Sequence, residues 1–179
     1  MERHARLAVL LVNTLAVDEA RGRGSAAPPD GPSRLAALGE ALAEAGFPTA
    51  ALTPADADRL AAATRSLRPV FGAGTPVADL NDLLVRQAAV PHLHGDPPAL
   101  AFHAPGASPT DAWIADAATA LAMVIGVGQG ARLRTCEAGG CDLAFFDRTR
   151  NASRRFCGLS CQNRAKATAY RARRANTKS

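Results

Sequence analysis

Aromatic residues make up only 4% of this 179-residue chain: six Phe, one Trp and one Tyr. So few rings argue against a broad base-stacking platform. Four of the eight, Phe145, Phe146, Phe156 and Tyr170, fall in the last quarter, where they read as the core of a small module. No apolar run approaches the roughly 18 residues that a membrane helix needs, and no secretory or twin-arginine signal is found. The chain is therefore expected to be cytoplasmic, with no membrane partner. A C-x-x-C redox pair is missing too. No nucleophile with a positioned base, carboxylate dyad or open metal site follows from spacing, so an enzyme is not expected and no catalytic residue is assigned.

What is present is concentrated at the C-terminal end. Cys136, Cys141, Cys157 and Cys161 form a C-x4-C, C-x3-C arrangement with fifteen residues between the pairs, and the segment around them has no histidine. In a reducing compartment four such thiols point to metal rather than to disulfides. Two short-spaced pairs can wrap one tetrahedral Zn²⁺ and leave no open position, so a single structural zinc is expected. Locally, residues 132–141 read as a knuckle turned by Gly139 and Gly140. Residues 143–156 read as a β-hairpin that turns near Arg150 and Asn151, and a helix over 161–174 carries the last cysteine in its first turn. Knuckle, hairpin and helix make a treble-clef-like finger.

The run Cys136-Glu-Ala-Gly-Gly-Cys141, then Phe146-Asp-Arg-Thr-Arg-Asn-Ala-Ser-Arg-Arg-Phe-Cys157, then Cys161-Gln-Asn-Arg-Ala-Lys166 resembles the CGNR zinc finger. Gln162 stands where the family's eponymous tetrapeptide has glycine, and the second cysteine pair is one residue shorter than usual. The preceding part is similar to the ABATE domain of stress-induced transcription regulators, through Leu7 to Thr14, Leu67-Arg68, Leu80-Asn81 and Arg132 to Cys136. These resemblances imply a DNA-binding regulator, with residues 1–130 as a mainly helical sensing or dimerisation domain and residues 131–179 as the finger. The implied fold is mainly α with a small β component.

Charge divides at the same place. Residues 132–179 hold 12 basic and 3 acidic side chains, a net +9, whereas residues 1–131 carry −4. Such density on one small module favours a polyanion, because each neutralised phosphate releases counterions. Arg164, Arg171 and Arg174 share a helical face, and Arg148, Arg150, Arg154 and Arg155 extend it. The candidate nucleic-acid contacts are Arg154, Arg155, Gln162, Asn163, Arg164, Lys166, Arg171 and Arg174, with Gln162 and Asn163 near base edges. Asn163 and Arg164 directly follow a ligand, so capping or bracing of the finger is the alternative for them. DNA is the expected partner. RNA and an acidic protein stay open as alternatives, since charge does not separate them, and a homodimer through residues 1–131 would enlarge the small contact area of one finger.

The first 131 residues read as packed helices near 33–45, 54–71, 76–89 and 109–127. Thr53-Pro54 with Asp56 and Ser108-Pro109 with Asp111 are start signals, and Thr75-Pro76 with Asp79 is a variant of them. Leu7 to Leu15 is apolar on all sides and is read as a buried helix rather than a strand. Residues 90–105 suit a small hairpin. Residues 21–32, dense in Gly and Pro, are expected to be an exposed flexible loop, and Gly126 to Gly130 a helix stop and interdomain joint. His92, His94 and His103 could meet on that hairpin, but with no acid or cysteine in sequence reach they read as plain surface. Asn13 and Asn81, inside apolar stretches, read as buried amides satisfying backbone groups, with a ligand pocket as the alternative.

Overall fold

The computed structural model describes residues 2–24, 27–47, 51–72 and 77–176. Six helices and three two-stranded antiparallel sheets are formed among them, an α+β arrangement dominated by helix. Helix α1 (Glu2–Leu15) is the central element. It packs against α2 (Gly31–Ala45), α3 (Pro54–Leu67) and α5 (Pro109–Gly126), while α4 (Val77–Arg86) lies on α3 and α5. Being surrounded explains its all-round apolarity. Leu7, Leu11, Val12 and Leu15 are buried, each contributing about 1.5–3 kcal/mol through removal from water. Across from them α5 presents Ala117, Ala118 and Leu121, all fully buried, and the small side chains let helices approach closely.

Caps set the helix starts. Thr53 and Asp56 form a reciprocal capping box ahead of α3, and Ser108 accepts the Asp111 N–H ahead of α5. Helix α2 begins at Gly31 rather than near 33, because Asp30 accepts the Ser33 N–H at 2.9 Å. The expected helix over 54–71 ends at Leu67. Pro69 lacks an N–H and disfavours helical geometry before it, so Arg68–Val70 tightens to a 3₁₀ turn. Thr75 and Pro76 lie outside the described residues. Helix α5 stops at Gly126, where Gly128 takes φ +74°. No helix among the described residues is long and apolar enough to cross a membrane.

The strands depart from expectation in two places. Strands β3 (His92–His94) and β4 (Ala99–Ala101) pair as anticipated, with Leu93 opposite Leu100. Residues 21–24, expected in a flexible loop, instead form part of a tight hairpin, in which β1 (Glu19–Ala20) and β2 (Arg23–Gly24) are joined by Arg21 and Gly22 at positive φ. The hairpin expected over 143–156 is also different. Strand β6 (Ala144–Phe146) pairs back with β5 (Leu133–Thr135), so the knuckle lies inside the hairpin rather than before it.

Burial supplies the reason. Leu133 and Ala144 are buried in the same cluster as Leu11 and Leu121, with Phe146 packed against it, so pairing β5 with β6 places one apolar edge on α1. Residues 147–154 have no comparable apolar face. Their carbonyls are taken up by arginines: Arg132 Nη1 donates to Asp147 O at 3.0 Å and to Thr149 O at 2.6 Å, and Arg134 Nη1 donates to Ala152 O at 3.2 Å.

Candidate metal centre and basic helix

Strands β5 and β6 hold the two ends of the knuckle together, and Cys136 N–H donates to Leu143 O at 2.9 Å as the ladder's continuation. Between them Gly140, at φ +67°, makes the turn that returns the chain to Cys141. Cys157 follows the Asp147-anchored loop, and Cys161 is the third residue of α6 (Leu159–Asn176). One sulfur from each of the four cysteines lies within 4.8 Å of the others. Cys141 and Cys157 Sγ are 3.9 Å apart, and Cys157 and Cys161 Sγ 3.6 Å. Disulfides would need about 2.05 Å. Tetrahedral Zn–S bonds of about 2.3 Å imply S–S separations of roughly 3.8 Å, and the quartet fits that.

The surroundings support thiolates. Cys157 N–H points to Cys136 Sγ at 3.4 Å, and Arg164 Nη2 to Cys161 Sγ at 3.5 Å. Burial pushes the Cys136 thiol up. It pushes Cys157 up as well, with Cys161 and Cys136 adding to the effect. At Cys141 burial works the same way, but N–H donors from Arg21 and Leu143 outweigh it and bring the thiol below its ordinary value. Four sulfurs this close, three of them on buried cysteines and the fourth on half-buried Cys157, cannot all ionise against one another unless a cation sits among them.

The donor from Arg21 identifies a support that sequence reasoning missed. Hairpin β1–β2 docks on the knuckle: Gly22 N–H donates to Gly140 O at 2.7 Å, and Asp142 N–H donates to Glu19 O at 2.8 Å. A Cβ on Gly22 would collide with the Arg164 guanidinium, so the glycine is what lets Arg164 lie over this turn and reach Cys161. The only available signal was Gly22 itself, between two arginines. Asn13 supplies a second tie, because its side-chain amide donates to Ala144 O at 2.9 Å and accepts Ala144 N–H at 2.8 Å, pairing with β6 as a strand would. Asn13 therefore satisfies backbone, as read. Asn81 is not buried but lies on the exposed side of α4.

A third support is Asp147, fully buried. Its carboxylate accepts Thr149 N–H at 2.8 Å, Thr149 O–H at 2.7 Å and Arg154 N–H at 2.7 Å. Burial would raise its pKa, but the Thr149 and Arg154 donors and the Arg132 charge hold it below the usual carboxylate value.

The eight candidate contact residues divide by what they touch. Arg154 turns inward: its guanidinium donates to Phe156 O and Cys157 O and lies over Phe145. Arg164 is committed to Cys161 and Gly22. Arg155 pairs with Glu137 at 2.6 Å yet stays 65% exposed. Gln162 is half-buried beside Arg155 and Leu159, and Asn163, Lys166, Arg171 and Arg174 are exposed. In α6 only Cys161 is buried. The face expected to unite Arg164, Arg171 and Arg174 is thus divided. Asn163, Lys166, Tyr170 and Arg174 form one exposed stripe, Arg171 lies at its edge, and Arg164 is drawn back to the metal centre.

Residues 132–174 match the family model described as the CGNR zinc finger. Comparison with curated proteins finds no match. The chain carries a CGNR zinc finger over that segment, and Cys136, Cys141, Cys157 and Cys161 fit one structural Zn²⁺.

Proposed function

We propose that the chain is a zinc-dependent DNA-binding regulator, in which the metal centre presents α6 to the nucleic acid and residues 1–131 sense a signal or dimerise. The observation that carries this reading is α6 itself. It is 18 residues long with five cations, no acid and one buried residue. At 1.5 Å per residue it extends about 27 Å. A charged helix with so little packing of its own fits the shape of the DNA major groove, about 12 Å wide. In this reading zinc fixes the start of the helix while Lys166, Arg171 and Arg174 meet phosphates. Asn163, on the same stripe, and Gln162 and Arg155 beside the helix start are nearest the bases. Arg154 and Arg164 act on the finger rather than on the ligand. In this reading the cysteine site is structural, since four thiolates leave the metal no free coordination position.

A salt series of duplex binding by the zinc-loaded chain tests this, with structured RNA as competitor and a Cys136→Ser, Cys157→Ser variant as control. Binding should require the thiolates, weaken with salt and prefer duplex DNA. Arg171→Ala with Arg174→Ala should flatten the log–log slope by about 1.8, at about 0.9 per lost phosphate contact. An unchanged slope would discard this face. Preference for RNA would move the reading to an RNA-binding module, and no binding at low salt would move it to an acidic protein partner.

A further inference from the structure

All four histidines of the chain gather in one corner, far along the sequence from the cysteines. The two-residue period of β3 puts His92 and His94 on one face of the hairpin, opposite to Leu93. His103 follows β4, and one ring nitrogen from each of His92, His94 and His103 lies within 4.8 Å of the others. Their ring centroids are 4.8, 5.7 and 6.1 Å apart. We propose that His92, His94 and His103 form a second metal site, for a divalent transition-metal ion bound through imidazole nitrogens. This inference does not depend on the nucleic-acid reading.

Ring orientation carries the argument. His103 Nδ1 faces Asp116 Oδ1 at 3.3 Å, and His92 Nδ1 faces Val90 O at 3.3 Å. Both partners are acceptors, so the proton sits on Nδ1 and the lone pair on Nε2, the form a metal needs. Asp116 is only 7% exposed and is fixed from behind by Phe102 N–H at 2.7 Å. A buried carboxylate orienting an imidazole is the arrangement that supports histidine ligands in metal sites. The acid that the local sequence lacked therefore arrives from α5. Asp116 Oδ2 also lies 3.7 Å from His4 Nε2 of α1, and His4 Nδ1 is buried with no hydrogen-bond partner. Burial lowers the His4 pKa from its ordinary value, against the opposing pull of the Asp116 charge.

Ligand chemistry selects the ion. Three imidazoles suit Zn²⁺, Ni²⁺, Cu²⁺ or Co²⁺, whereas Ca²⁺ and Mg²⁺ need oxygen ligands. Zn–N bonds of about 2.0–2.1 Å place tetrahedral nitrogens roughly 3.4 Å apart, which small χ rotations on a short hairpin can reach from the observed spacing. Three protein ligands leave a fourth position, and His94 and His103 also line a cleft of about 360 Å³ together with Phe47 and Trp113.

The test titrates Co²⁺ into tag-free, full-length protein whose cysteine site is already saturated with Zn²⁺, followed by absorption and by metal counting after gel filtration. One further equivalent should bind with d–d bands but without thiolate-to-metal charge transfer, which would instead mark exchange at the cysteines. His94→Ala, at an exposed position, should keep the fold and weaken Co²⁺ binding at least tenfold. Asp116→Asn retains an acceptor for Phe102 N–H, and as a positioning residue should cost about 10–100-fold in affinity with a shifted d–d spectrum. Absence of a second equivalent at millimolar Co²⁺ would overturn the proposal. So would a second equivalent bound equally well by His92→Ala and His94→Ala.

Discussion

Asn13→Ala should be the most informative single perturbation of how the finger is held. The side chain makes a donor and an acceptor bond to Ala144, whose own surface is 1% exposed. Truncation leaves one buried N–H and one buried C=O on β6, and each unsatisfied group costs about 1–3 kcal/mol. Relaxation at this half-buried position lowers the sum, so a loss of about 3 kcal/mol is expected. For a chain of this size that lowers Tm by roughly 6–12 °C. The matching control is Asn81→Ala, which changes the same residue type on the exposed face of α4 and should stay within about 0.5 kcal/mol. Urea unfolding by circular dichroism at fixed free zinc reads both, with m unchanged between them. Because Leu133 and Ala144 share a core with Leu11, zinc affinity should fall along with stability in Asn13→Ala. If Asn13→Ala and Asn81→Ala lose similar amounts, the amide is not the tie described above.

Two further substitutions probe the supports of the metal centre. Gly22→Ala forces a side chain into φ +81° and against Arg164, so it should cost about 1–2 kcal/mol and speed zinc loss to a chelator; Gly24→Ala, with nothing within 4 Å of the added Cβ, should do neither. Asp147→Ala strips the acceptor from two N–H groups and a hydroxyl and should cost about 2–4 kcal/mol at neutral pH, measured by urea unfolding. The Asp147 pKa is lower folded than its ordinary 3.8, so its contribution is complete above that value and is lost as pH falls through the folded one. The gap between wild type and Asp147→Ala should therefore be widest near neutrality and narrow in strong acid; a gap that widens on acidification would contradict the assignment.

Local physics was legible in the sequence. Cysteine spacing located the metal centre, and hydroxyl–proline–acid phrases located the starts of α3 and α5, because ligand geometry and capping act over a few residues. Pairing across the chain was not. The amide that completes β6 lies 131 residues away on α1, and the turn that steadies the knuckle comes from Gly22. Glycine beside arginine in a Pro-rich stretch reads as solvent, since nothing nearby shows that another backbone approaches within 3.4 Å of where a Gly140 Cβ would stand. The acid beside the histidines was hidden for the same reason. Their partner acid, Asp116, belongs to a helix whose own pattern is apolar, and only tertiary packing turns it toward His103.

Arginine is where composition misleads most. Net charge treats every guanidinium as available to a polyanion, yet Arg132, Arg134 and Arg154 donate to carbonyls of the 147–157 segment. That segment has too few apolar side chains to fold by burial, and its carbonyls would otherwise lack partners. A planar group with five donors can bridge several carbonyls at once, which lysine cannot. The finger's six arginines before α6 are thus ambiguous in sequence between scaffold and ligand contact, and Arg164 shows that the ambiguity continues into the helix. The discriminating feature is distance from the metal: guanidinium groups near the cysteines serve the fold, while Lys166, Arg171 and Arg174 lie beyond the last buried residue of α6. Substitutions in the first group should therefore register in stability and zinc retention, and those in the second only in the binding of an anionic partner.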